Sequence, residues 1–119
     1  MRRTFFLLAL AALPTAGLPA AGEDAAKQLA ARRGCDICHE VLPRTGDAKT
    51  PMGPSYADIG KRYKGRRGAE DRLVASILAG SGGRDQRHWA GRARFDRMPA
   101  NVMEINEQDA RAIVRWILR

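Results

Sequence analysis

Cys35-Asp36-Ile37-Cys38-His39 constrains this chain more than any other stretch of it. The 2 cysteines of the sequence both fall in that pentapeptide. A disulfide between them would close almost no loop, and a cross-link of that kind restrains the unfolded chain very little. The spacing suits another chemistry. Two thiols three positions apart, at the end of a helix, can reach the two vinyl groups on one porphyrin edge and form thioethers. The adjacent imidazole then turns toward the iron from one face, which makes Cys-x-x-Cys-His the attachment signature of a c-type haem. A thioredoxin-like redox pair would need a strand–helix–strand context that the sequence lacks. Half a zinc site would need a second pair of ligands, and His88 alone does not supply it.

Size makes a covalent group useful. A chain of 119 residues holds one domain. Its start reads as an exported leader over residues 1–22, with basic Arg2-Arg3, the apolar run Phe5 to Leu13, then Pro14 and the small residues through Gly22. That run is far shorter than the roughly 20 residues a membrane-spanning helix needs. The expectation is therefore export to a bacterial periplasm, cleavage after Gly22, and a mature domain over residues 23–119 with no membrane span. A domain this small buries a modest core and gains from a prosthetic group that fills part of it. The whole chain carries a net charge of +8, and the mature part stays basic because the leader removes only Arg2 and Arg3.

The mature chain reads as helices and loops with no alternating strand. Ala25 to Arg33 is a strong helix former stopped by Gly34. Pro43 to Pro54 is loop. Tyr56, Ile59 and Tyr63 have helical spacing, and that helix should end near Gly65. Another is expected from Ala69 to Ala79, with Leu73, Val74, Ile77 and Leu78 inward and Gly80 as its stop. Ser81 to Asn101 shows no periodicity. In the last helix Asn106 can cap the N-terminus, while Ala110, Ile113, Val114 and Ile117 form an apolar stripe that Trp116 widens.

An iron held by His39 has a second axial face. The remaining donors are Met52, Met98, Met103 and His88. Met98 is favoured, because Met98-Pro99-Ala100-Asn101 is a non-helical stretch just before the last helix, and a thioether there raises the reduction potential. His88 is the rival and would give a bis-histidine haem of lower potential. An iron with no second ligand would belong to a sensor or a ligand-binding haem. Met52 and Met103 read as packing side chains.

In order, Cys35-Asp36-Ile37-Cys38-His39, Met52-Gly53-Pro54-Ser55-Tyr56 and Met98-Pro99-Ala100-Asn101 resemble the small bacterial class I cytochromes c, closest to the short electron-donor type found with denitrification and respiratory oxidases. The resemblance covers roughly Ala25 to Arg119. It implies an all-α class I cytochrome c fold, about four helices wrapped around one covalent haem c, with crossed terminal helices. It also implies haem on Cys35 and Cys38, with His39 and Met98 as axial ligands. The Pro54 carbonyl would accept the other ring N–H of His39, Asn101 would bond near the Met98 sulfur, and Trp89 would reach a haem propionate. Two features depart from the family. Trp89 and Met98 are nine positions apart, so Arg84 to Arg97 reads as an enlarged distal loop, and Ala30 stands where an aromatic partner for Trp116 is expected.

The function these readings predict is single-electron transfer by a monomeric periplasmic carrier, not an enzyme. Arg84, Arg87, Arg92, Arg94 and Arg97 outnumber Asp85 and Asp96 in the distal loop and would favour acidic redox protein partners. Nucleic acid is not an expected partner of an exported haem protein. The alternatives are a cytochrome subunit bound tightly to a dehydrogenase or oxidase complex, and a haem sensor with an open distal site. Attachment should require both thiols. Cys35→Ala or Cys38→Ala is expected to leave little haem-stained protein after denaturing electrophoresis, and a strong band from the double variant would end the c-type reading.

Overall fold

The last helix has the strongest apolar stripe, and the rest of the chain is arranged around it. The computed structural model describes residues 21–46, 49–82, 86–95, 97–100 and 104–119. Five α-helices follow one another: α1 (Ala21–Arg32), α2 (Tyr56–Tyr63), α3 (Ala69–Ala79), α4 (Gln86–Trp89) and α5 (Glu107–Ile117), with a 3₁₀ turn at Cys35–Ile37 between the first two. The fold is all-α, and α5 packs against α1, α2 and α3. Most of the expected leader lies outside the described residues. No helix among the described residues is long and apolar enough to cross a membrane.

Helix ends follow local chemistry. Ser55 and Asn106 cap α2 and α5, each side chain accepting the backbone N–H three residues on, from Asp58 and Asp109. Glycine at Gly34 and Gly80 takes positive φ after α1 and α3. α1 begins four residues ahead of the expected Ala25, and α4 is a single turn in a stretch where the sequence has no periodic signal.

The core is made by α5 seating small residues against its neighbours. Ala30, Ala110 and Val114 are 0 % exposed and Ile113 is 1 % exposed. Ala30 is thus a close-packing surface of the α1–α5 crossing, not a gap in it. The aromatic partner of Trp116 comes from α2 instead, where Tyr56 meets it edge-on with ring centroids 4.9 Å apart. Charged groups bridge the same helices. Arg33 reaches Asp109 at 2.8 Å, and Arg111 sits among Glu107, Glu70 and Asp71 while Arg115 shares Glu70. The Arg111 guanidinium holds the Glu70 carboxyl below its ordinary range. Such partly exposed pairs set register between helices more than they add stability.

Gly60 permits the approach of α2 to α5, since a Cβ there would lie 2.5 Å from the Ile117 carbonyl oxygen. In an open helix interior Gly→Ala gains about 1 kcal/mol. Gly60→Ala is expected instead to lose roughly 1–3 kcal/mol, the range of an overpacked core. Guanidinium unfolding of the holoprotein reads the sign, and a gain in stability would show that the α2–α5 contact is looser than described.

Candidate functional site

The site begins where α1 stops. Gly34 takes φ 70 and turns the chain into the 3₁₀ turn, where the N–H groups of Cys38 and His39 both donate to the Cys35 carbonyl, at 3.2 and 2.9 Å. One tight turn therefore holds both thiols and the imidazole. Both cysteines are partly exposed and form no disulfide with each other. Burial pushes the Cys35 thiol up. Among the described residues no cluster of three or more His, Cys, Asp or Glu forms around them.

His39 is oriented from the next segment. Its Nδ1–H donates to the Pro54 carbonyl at 2.7 Å, which leaves Nε2 as the nitrogen that could ligate a metal. The pairing needs Gly53. A Cβ there would lie 3.1 Å from both the Cys38 carbonyl oxygen and His39 Cε1, and the Gly53 N–H donates to that Cys38 carbonyl at 2.9 Å. Burial pushes the His39 imidazole below its ordinary pKa, against the opposing pull of the Pro54 bond. Neutral imidazole is the form a metal binds.

Tyr56 backs the imidazole. Its ring stacks on His39 with centroids 5.6 Å apart and 24° between planes, and its hydroxyl donates to Asp36 at 2.9 Å. Burial, before any other cause, raises the phenol far above its ordinary pKa, so it stays a donor. Helical spacing marks Tyr56 as a core residue, but the sequence carries no signal that it reaches back to Asp36.

These elements wall an open cavity of about 800 Å³, counting the space continuous with solvent. The lining is largely apolar and includes Cys38, His39, Ile59, Leu73, Trp89 and Met98. Arg72 and Arg97 reach it as well. A porphyrin fits these features: an apolar slot, one imidazole, the Cys38 thiol in the lining with Cys35 on the same tight turn, and cations for acidic substituents. Met52 also lines the cavity, beside the Gly53-Pro54 segment that holds His39. His88 does not line it and packs edge-on against Trp89, centroids 4.4 Å apart. Asn101 and Met103 lie outside the described residues, as do Arg84, Asp85 and Asp96 of the distal loop.

The distal loop is fixed at two places. The N–H groups of Arg94 and Phe95 donate to the carbonyls of Pro51 and Met52, at 2.8 and 3.0 Å. Farther on, Ser81 bonds both backbone groups of Met98. Nothing in the sequence marks this role, because a serine after a helix-ending glycine reads only as loop.

The Cytochrome c family model matches residues 23–119. Cytochrome c-551 of Allochromatium vinosum is 37% identical over 90 residues, covering 76% of this chain and 80% of that one. Cytochrome c2 of Rhodocyclus tenuis is 35% identical over 91 residues, with coverage of 76% and 86%. Among solved structures, Nitrosomonas europaea cytochrome c552 superposes with a TM-score of 0.58 at 30% identity, over 77% of this chain and 95% of its own. Fold, pocket and relatives together define a class I c-type cytochrome. The chain belongs to the cytochrome c family and carries haem c covalently.

Tyr56→Phe removes the bond to Asp36 and keeps the ring stack. The expected cost is about 1 kcal/mol, the net worth of a hydrogen bond whose acceptor can turn to water, with haem attachment unchanged. Denaturant titration of the holoprotein checks it; a loss of several kcal/mol would mean that Tyr56 carries more than this bond.

Proposed function

We propose that the protein is a diffusible periplasmic electron carrier whose haem is bound through Cys35 and Cys38 and ligated by His39 Nε2 and the Met98 sulfur. One observation carries the reading: His39, with Nδ1 already committed to Pro54, and Met98 line the same apolar cavity. Met52 is the weaker candidate because it adjoins the segment that holds the imidazole. His88 is weaker still, since it stands outside the cavity lining against Trp89.

When bound, the haem supplies a one-electron iron couple. The chain's part is to fix that couple and keep water from it. Pro54 fixes the tautomer and direction of His39, and a thioether from Met98 favours the reduced iron and raises the potential. Were His39 and Met98 both to hold the iron, no coordination site would remain for a substrate, which fits a carrier and not an enzyme. Trp89, which lines the cavity, would donate to a haem propionate, and Asn101 would bond near the Met98 sulfur. The leader would end at Gly22, within the first turn of α1, leaving residues 23–119 as a monomer.

Partners should be acidic redox proteins. Arg87, Arg92, Arg94 and Arg97 are exposed in the distal loop, and Phe95, 57% exposed, lines the cavity among them. An apolar contact ringed by cations steers an acidic surface to the haem edge and speeds encounter at low salt.

Met98→Ala is expected to abolish the long-wavelength ferric absorption band that reports sulfur–iron bonding, open the iron to cyanide and carbon monoxide, and lower the potential. His88→Ala should leave all three nearly unchanged. Spectra and redox titration of the purified holoproteins decide it. The opposite pattern would make the haem bis-histidine and the choice of ligand wrong.

A further inference from the structure

Met98 stands outside any helix or strand, so its backbone polar groups must find partners elsewhere. Both find one residue. The Ser81 N–H donates to the Met98 carbonyl at 3.0 Å, and Ser81 Oγ accepts the Met98 N–H at 2.8 Å. The chain is brought this close by Gly80, which ends α3 at φ 81. A Cβ on Gly80 would lie 3.0 Å from the Ala100 nitrogen and 3.1 Å from the Met98 carbonyl oxygen. Ser81 itself is half-buried and lines the cavity beside Met98. On the other side of Met98, Pro99 has a fixed φ and no N–H of its own. The support behind the clamp is firm, because α3 is packed on α5 and tied to it through Glu70 and Asp71 to Arg111.

We propose that Ser81 is a positioning residue for the distal ligand: it grips the backbone of Met98 from the end of α3, and this grip sets how often the thioether leaves the iron. The proposal rests on the reading of Met98 as axial ligand. Two bonds to one residue fix both the position and the rotation of the Met98 backbone. With the Oγ bond gone, only the carbonyl bond remains, and a single bond acts as a hinge. The side chain then swings out more often, although the ligand itself is unchanged.

The test uses ferric holoprotein with Ser81→Ala, Ser81→Thr and Ala26→Gly, the last as a variant destabilised through lost helix propensity in α1, where Ala26 is buried but does not line the cavity. Two readouts are taken: the rate of cyanide binding, and the pH at which the sulfur–iron band is lost on alkaline titration. Ser81→Ala should bind cyanide about 3- to 10-fold faster, the range one lost neutral hydrogen bond covers. Its band should be lost roughly half to one pH unit lower. Ser81→Thr, which keeps the hydroxyl, should return both values most of the way to those of the unaltered protein. Ala26→Gly should move neither, despite its lower resistance to denaturant. If the band is present in the unaltered protein and Ser81→Ala shifts neither readout, the clamp is wrong while the ligand reading stands. Equal shifts in Ala26→Gly would reduce Ser81 to a general effect of stability and overturn the proposal. Absence of the band in the unaltered protein would overturn the ligand reading, and the clamp with it.

Discussion

The hydrogen bond from His39 to the Pro54 carbonyl depends on an unusual closeness of two loops, and much of the molecule serves that closeness. Gly53 is the only residue type that fits over the imidazole without displacing Cys38 or His39. Tyr56, two residues beyond Pro54, stacks behind the ring and leans on Trp116 of α5. The stack in turn needs α2 close to α5, which Gly60 permits, and α5 is held in register by α1 across Ala30 and Ala110. The orientation of one imidazole is therefore linked to the crossing of the terminal helices through a short series of contacts. In a small domain the ligand geometry and the core are the same set of residues.

The opposite wall is built in another way. It has little regular structure, since α4 is one turn and residues around Met98 belong to no helix. Backbone bonds to fixed elements replace internal ones: to Pro51 and Met52 on one side, and between Met98 and Ser81 on the other. The two walls thus differ in origin, one made by helix packing and one by loop docking. A loop held largely by such bonds is of lower local stability than a packed helix, which places any motion of this site on the distal side.

The sequence revealed most where chemistry is local. The haem motif, the cap at Asn106, and the spacing of Tyr56, Ile59 and Tyr63 all act within a few residues, and α2 and α5 match their patterns. The bond between His39 and Pro54 spans fifteen positions and was legible only through likeness to a known family. Contacts that depend on the assembled fold left no trace. Nothing in Asp36 or Tyr56 announces that they meet, and Ala30 looked like a missing aromatic until the fold showed Tyr56 filling that role from α2. The one-turn α4 is invisible for the same reason: arginines, His88 and Trp89 carry no apolar period, and tertiary context decides their conformation.

The bonds that fasten the distal loop to residues 51 and 52 come from main-chain atoms alone. Any residue except proline at positions 94 and 95 supplies the same N–H groups. Side chains there can consequently diverge without losing the backbone bonds that hold the loop. Natural variation can rewrite the outward face of this cytochrome, trading arginine for acid or phenylalanine for a smaller group, while the redox centre is inherited intact. A lineage could change partners by substitutions on that rim without having to rebuild the metal site.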